Sequence, residues 1–297
     1  MTAMRAQFGP LLAPGLREVF FDKFDSYAPQ YTELFNVETS VRKYEDDYSV
    51  SGFGLVPVKD EGVGVIYDDP ISGYSKRYTH STFALGFRVT QEMYEDDMYG
   101  IIRKMPKALG KSMRLTVETD GANVLNNGFT ASTYAGPDGV ALFSASHPLT
   151  GGGTSSNTLA VAADLSETSL EQAIIDIAAT TDDRGLLQMI KPKKLIVPAS
   201  LAWTAARLLE STLTPGSANN AINPGKGIMP YGVNNYLTDT DAWFIYGDEH
   251  QVNWFWRVKP DFDEDNDFDT NDAKYKARAR WSNGFSDWRG VYGSPGA

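Results

Sequence analysis

Apolar and polar residues alternate most regularly at Phe83, Leu85, Phe87 and Val89, which are interleaved with Thr82, Ala84, Gly86 and Arg88. A period of two predicts a half-buried strand. The segment before it, Ser51 to Gly73 (SGFGLVPVKDEGVGVIYDDPISG), carries glycines at 52, 54, 62, 64 and 73 and reads as a β arm too long and too polar to bury itself. An isolated hairpin is marginal in water, so this arm needs a packing partner in its own chain or in another. Helical spacing appears on both sides of it. Leu16, Val19, Phe20, Phe24 and Tyr27 predict an amphipathic helix over Leu16 to Ser26, ended by Pro29. Thr90 opens a second helix, Gln91 to Arg103, which stops at Pro106 because proline suits the first position of a new helix. From Lys107 to Asn127 the stripe Leu109, Met113, Val117, Val124 and Leu125 predicts a helix about 30 Å long, with Gly128 as its stop.

Beyond the flexible GGGTSSN loop at Gly151 to Asn157, Thr168 and Glu171 form a capping box before Leu170, Ala173, Ile174, Ile177 and Ala178. Lys194 to Val197 reads as a short buried strand closed by Pro198, and Ser200 can cap a helix over Leu201 to Leu209. A Gly, Pro and Asn-rich loop, Thr214 to Gly227, precedes strands near Gly227 to Tyr231 and Ala242 to Tyr246. Two more strands, Val252 to Lys259 and Lys274 to Trp281, flank an acidic loop. No fixed-period repeat is visible, and the mixture predicts an α+β fold.

The 297 residues suffice for one large or two modest domains, and 42% hydrophobic residues are typical of a packed protein. A net charge of −11 argues against a surface built to grip phosphate backbones, though not against a protein that merely encloses nucleic acid. Without cysteine there is no disulfide framework, thiolate metal site or cysteine nucleophile. Pro10, Pro14 and Gly15 interrupt any apolar core of a secretory signal, and no run reaches the roughly 20 apolar residues of a membrane span. A soluble protein, acting in the cell or in a particle, is the expectation.

Candidate chemistry is sparse. In DFDEDNDFDTND, Asp261, Asp263 and Asp265 match the first three ligands of a calcium loop, but Asn266 stands where the turn glycine belongs and Asp272 where a longer glutamate belongs. A solvated acidic loop is the competing reading. In KYKARARW, Lys274, Lys276, Arg278 and Arg280 share one face and Tyr275, Ala277, Ala279 and Trp281 the other. The basic face could meet nucleic acid, pair with the acidic loop or lie in water. Ser144, Ser146 and His147 suggest a nucleophile and base, but neighbours on an extended segment point to opposite faces and no G-x-S-x-G elbow exists. Three scattered histidines, His80, His147 and His250, do not make a metal motif. Trp254, Phe255 and Trp256 read as core and interface.

The order of APGLREVF, EGVG, LGFRVTQEMYEDDMYG, LFSASHPL, KPKKLIVPASLAWTAARLLES, NNYLTDTDAWFIYG and RWSNGFSDWRGVYGS resembles the major capsid proteins of tailed bacteriophages, whose fold is shared with encapsulin compartments. The resemblance spans roughly Leu11 to Gly296. It implies an N-terminal arm over 1–42, an extended hairpin loop over 43–79 lying on a neighbouring subunit, a peripheral domain with spine helix over 80–160 and 249–297, and an axial domain over 161–248. It further implies a structural protein without catalytic residues or cofactors. Hexamers and pentamers would close into an icosahedral shell around double-stranded DNA, bound without sequence specificity. Portal, scaffold and decoration proteins would be its other partners, with no membrane. Its place would be the virion capsid, assembled in the host cytoplasm. Candidate interface residues are Phe20, Phe21 and Phe24 in the arm, Lys59, Glu61, Tyr67 and Tyr74 in the hairpin, and Trp243 and Phe244 in the axial unit. No charged helical scaffold precedes Leu16, and no motif identifies a cross-linking partner for Lys59. Two alternatives stay open: an encapsulin-like shell around protein cargo, and an acidic-loop metal-binding module or hydrolase.

Overall fold

The computed structural model describes residues 9–96, 100–131, 134–214, 221–267 and 272–297. In chain order the elements are α1 (Gly9–Asp25), β1 (Asn36–Thr39), β2 (Tyr44–Ser51), β3 (Ile71–Thr79), β4 (Ser81–Val89), α2 (Gln91–Glu95), α3 (Ile101–Asn126), β5 (His147–Pro148) and β6 (Thr154–Ser155). They continue with α4 (Glu167–Ala178), β7 (Pro192–Val197), α5 (Ala202–Glu210), β8 (Tyr231–Val233), β9 (Trp243–Gly247), β10 (Gln251–Asn266), β11 (Ala273–Asp287) and β12 (Val291–Ser294). The predicted α+β class is what forms, and the chain divides into two compact units.

The first unit comprises residues 1–44, 79–121 and 254–282. Its sheet has the order β1-β10-β11-β4, with β11 antiparallel to β4 from Ala273↔Val89 to Trp281↔Ser81. The alternation read from β11 holds, whereas on β4 Phe83, Phe87 and Val89 are partly or fully buried and Leu85, read as part of the same face, is exposed at 55%. Tyr275, Ala277, Ala279 and Trp281 are buried, while Lys274, Lys276 and Arg278 are exposed. Phe83 stacks on Trp281 at 3.8 Å and Phe87 on Tyr275 at 4.9 Å, the cross-strand aromatic pairs that lock a sheet register. Trp254, Trp256, Tyr31 and Phe35 extend this aromatic layer. Helices α1 and α3 pack through Phe20 and Phe24. Arg114 donates to the Phe24 carbonyl at 2.9 Å and lies over its ring at 3.9 Å. Glu118 accepts from the Gln30 and Tyr31 amides at 3.1 and 2.9 Å, capping the turn between helix and sheet. Burial raises the Glu118 pKa, and those amides with Arg114 oppose the shift.

Helix boundaries depart from the sequence reading in a consistent way. Helix α1 begins at Gly9 and runs through Pro14, and α3 begins at Ile101 and runs through Pro106. Each proline is the sixth helical residue, just past the first turn whose N–H groups lack intrahelical partners anyway, so only one bond of the ladder is lost. The break expected at Pro106 falls instead at Gly100, whose φ of 63° suits glycine, and α2 ends at Glu95. The acidic segment differs as well. Asp261 to Asn266 belong to β10 rather than to a loop, which shortens the connection to β11.

The second unit comprises residues 45–78, 122–253 and 283–297. Its main sheet, β12-β9-β7-β8, pairs β7 with β8 in parallel and β9 with both β7 and β12 antiparallel. Both faces of the central strand β9 are covered, so Trp243 to Gly247 are all buried. Helices α4 and α5 place Leu170, Ala173, Ile177, Ala205 and Leu209 against Leu195, Val197, Trp243 and Ile245. The capping box of α4 lies two residues upstream of the expected one. Ser166 accepts from the Ser169 amide at 3.2 Å, and Ser169 Oγ accepts from the Ser166 amide at 2.9 Å. This register buries Leu165 and Leu170, the staple positions that flank the cap, which the Thr168 register would not use. Ser200 does not cap α5: it lies in a 3-10 turn and donates to the Thr240 carbonyl.

One titration in this unit has a defined sign. Burial first, and the charge of Lys193 second, hold the His250 imidazole below its usual range, with Tyr246 edge-on at 5.1 Å. The folded chain therefore keeps this ring neutral where the unfolded chain binds a proton. Stability is expected to fall as pH drops below about 6.5. Thermal melts from pH 7.5 to 5.5 should show that fall in the native chain and a shallower one in His250→Phe.

Candidate assembly interface

Between β2 and β3, which pair with one another, the chain runs from residue 52 to 70 outside any helix or strand, with no sheet partner among the described residues. Its tip is a turn in which the Val63 amide donates to the Asp60 carbonyl at 3.3 Å and Gly62 has φ 81°. Phe53, Leu55, Val56, Val58, Val63, Val65, Ile66 and Tyr67 are all exposed, Val56 and Tyr67 at 94% and 93%. Single exposed apolar residues are ordinary, but eight within fifteen positions form a surface that water disfavours. The local chain cannot bury them because β-branched residues alternate with Gly, Pro and acids, leaving no apolar face wide enough to fold back on.

The base of this arm is tied down. Asp68 Oδ2 accepts from the Gly54 amide at 2.8 Å and from Arg184 Nη1 at 2.6 Å, while Arg184 Nη2 donates to the Asp69 carbonyl. The Gly54 hydrogen bond, then Arg184, hold the Asp68 carboxyl below the usual carboxylate range. The clasp fixes the two ends of the loop and leaves 55–67 projecting. Arg184→Ala is expected to speed proteolytic cleavage within 55–67 of the unassembled subunit several-fold without changing its melting temperature appreciably, since the pair is partly solvated. Timed digestion with fragment masses would show it.

The interface residues expected from sequence divide in two. Lys59, Glu61 and Tyr67 lie exposed on the arm, and Tyr74 is half-buried in β3. Phe20, Trp243 and Phe244, at 0%, 0% and 1% exposure, and Phe24 instead belong to the core of their own units, so they have no surface to offer a partner. Phe21 is half-buried, edge-on to Phe20 at 5.1 Å with Arg17 over its ring. Two features escaped the sequence reading. The arm was read as too polar to bury itself, but the density of exposed valines within it was not singled out. Trp203, 81% exposed on α5, sits off the stripe formed by Ala205 and Leu209, a helical-wheel signal that was there to be used.

The remaining candidate chemistry does not assemble into a catalytic site. His147 is buried, with Nδ1 against Asp138 Oδ2 at 2.7 Å, Nε2 against Asn157 Oδ1 at 3.2 Å, and its ring stacked on Trp288 at 4.4 Å. Asn157 also donates to the carbonyls of Leu142, Trp288 and Val291, so this cluster binds distant segments of the second unit together. Ser144 Oγ accepts from the Ser146 amide and neither serine is bonded to His147. Asp261, Asp263 and Asp265 lie at alternate positions of a strand and span about 13 Å along it, so the three do not converge on one ion as the ligands of a calcium loop do. Asp261 pairs with Arg17 at 2.9 Å and Asp263 with Lys276 at 3.8 Å. Among the described residues no group of three potential metal ligands is close enough to hold an ion.

Known structures share this architecture. The capsid protein of the cyanophage P-SCSP1u matches over 90% of this chain and 87% of its own, with a TM-score of 0.59 at 10% identity. The capsid of Ralstonia phage GP4 matches over 88% and 87%, with a TM-score of 0.59 at 13% identity. A virus-like particle from Pyrococcus furiosus matches over 95% and 98%, with a TM-score of 0.52 at 12% identity. Identities this low speak for the fold alone, and no curated protein matches the sequence. The sequence profile of the phage capsid protein family, however, matches residues 73–294, well over half of the chain. On that match, and with a fold that agrees with it, this chain belongs to the phage capsid protein family.

Proposed function

We propose that this chain is a major capsid protein, many copies of which form hexamers and pentamers that close into an icosahedral phage head around double-stranded DNA. The observation that carries this reading is the arm 52–70, a run of exposed apolar side chains on a body that matches the capsid family. A shell supplies the neighbour that such an arm requires, and stability comes partly from that partner. The division into N-terminal arm (1–42), hairpin loop (43–79), peripheral domain (80–160 and 249–297) and axial domain (161–248) belongs to the same reading. So do a role without catalysis, assembly in the host cytoplasm, residence in the virion capsid, and portal, scaffold and decoration proteins as further partners. Lys59, Glu61 and Tyr67 would lie in the contact between copies, with Tyr74 at its base.

The likeness to the Pyrococcus furiosus particle, which spans nearly all of both chains, favours one second reading, an encapsulin-like compartment. Copurified nucleic acid would support the phage head, and a discrete protein cargo the compartment. Negative-stain electron microscopy of the main gel-filtration peak tests the shell itself. Closed particles or rings of five and six are expected. A uniform small species that persists across salt, concentration and coexpression with neighbouring genes would overturn the reading.

A further inference from the structure

We infer that the exposed stripe Arg103, Lys104, Lys107 and Lys111 on α3 is the surface that faces the phosphate backbone of enclosed duplex DNA. The inference rests on the shell reading and adds to it which face of the subunit looks inward. All four side chains are exposed, whereas Ile102, Leu109, Met113 and Val117 on the opposite face are buried. At 100° per residue the four cations fall within an arc of about 100°, spread over about 12 Å of helix.

Among the described residues none of the four has an ion pair, and the first turn of α3 contains no acid. Cations in the opening turns oppose the helix dipole, and Arg103, Lys107 and Lys111 repel one another at i, i+4 spacing. Local stability would favour acids here, so the stripe is a cost that an external anion would remove. Lys23 of α1 extends it. Lys23 Nζ lies over the Tyr27 ring at 4.6 Å, and the Tyr27 hydroxyl is held below its usual range by a hydrogen bond from Lys23 and by the charges of Lys23 and Lys111.

The contrast with the other basic surface of the same unit is decisive. On the sheet, Lys274 pairs with Asp267 at 2.6 Å, Lys276 with Asp263 at 3.8 Å and Arg88 with Asp272 at 3.5 Å. Those three cations are paired within the chain, while the four of the helix stripe have no ion pair among the described residues. On a chain of net charge −11, an unbalanced cationic row fits a dense polyanion. Contacts through charge alone bind any sequence and weaken with salt, which suits a container that must release its contents.

The test uses full-length unassembled subunits, a short fluorescent DNA duplex of mixed sequence, and anisotropy titrations over a range of salt. Four phosphate contacts predict a slope of log K against log salt of about −3.6. In R103Q/K104Q/K107Q/K111Q, where glutamine keeps helix propensity, the slope should approach zero while particle formation persists. R88Q/K274Q/K276Q should keep the native slope, and closed native shells should not bind duplex added from outside. Three results would each overturn the inference: an unchanged slope in the α3 variant, loss of the slope in the sheet variant, or native-slope binding to closed shells. Loss of assembly in the α3 variant alone would also overturn it, by assigning the stripe to an acidic surface of another copy. Should the native chain fail to assemble at all, the shell reading fails, while the slope measured on subunits still reports on the stripe.

Discussion

Replacing residues 55–67 with a short glycine-serine linker is expected to abolish particle formation while leaving the subunit folded. The segment carries Leu55, Val56, Val58, Val63, Val65, Ile66 and Tyr67, all exposed, and contributes nothing to either core. Gly54, Asp68 and Arg184 remain, so the clasp can still close the shortened loop. Burying a Val, Leu or Ile side chain stabilises by about 1.5–3 kcal/mol, so an arm that seats even half of these residues on a neighbour supplies on the order of 5–10 kcal/mol per contact. Ordering an extended segment offsets part of that, which is why the effect on assembly is large but the single-residue effects are uneven. Tyr67→Ala should cost more than Lys59→Ala, since aromatic anchors dominate interfaces and rim charges do not. Circular dichroism and melting temperature should match the native subunit, with sedimentation showing no large species. Normal particles from the linker variant would mean that the arm is decoration.

Trp281→Ala is expected to destabilise the first unit by about 3–5 kcal/mol. Trp281 is buried, stacks on Phe83 at 3.8 Å and on Trp254 at 5.5 Å, meets Trp256 edge-on at 5.3 Å, and donates from Nε1 to Asp120 Oδ2 at 2.6 Å. Truncation removes the ring around which β4, β10 and β11 pack and takes a donor from a carboxylate on α3. A cavity that size cannot be closed by one neighbour, because the surrounding groups are themselves planar rings fixed by mutual contact. Trp281→Phe keeps the stack and loses the hydrogen bond, and should cost less than half as much. In a thermal melt the alanine variant should lose on the order of 10 °C. A loss near zero would mean that the aromatic layer is not what holds this sheet.

Local pattern carried well from sequence to structure where one face of an element is buried. The strand β11 and the apolar stripe of α3 were legible because periodicity and burial coincide there, β7 and β9 because short apolar runs are buried whole, and β4 only in part, since Leu85 on its apolar face is exposed. Element ends were less so. Thr168-x-x-Glu171 matches the capping-box pattern in the sequence, whereas Ser166 and Ser169 make the reciprocal bonds with serine in place of Glu or Gln, and the burial of Leu165 and Leu170 favours their register. Pro106 looked like a boundary, yet a helix can absorb it near its start when Gly100 supplies the break.

The candidate interface was half legible. The glycines, prolines and acids of the arm marked it as unable to bury itself, but nothing local in the sequence showed that Phe20, Trp243 and Phe244 are covered within their own units. The distinction is long-range. Phe20 is covered by Phe262 at 5.3 Å and Phe244 by Phe143 at 5.2 Å, contacts across more than a hundred residues. The arm has no such cover. The Arg184 clasp and the His147–Asn157 cluster were invisible for the same reason, since their members are tied together only by the fold.

Hydrogen–deuterium exchange of the arm, measured in unassembled subunits and in purified particles, tests most directly whether a neighbouring copy buries it. Amides within residues 55–67 should exchange at nearly unprotected rates in the subunit and slow by at least an order of magnitude in the particle, while β9 stays protected in both. Equally fast exchange of the arm in both states would contradict the account, because its exposed apolar row would then have no partner in the shell.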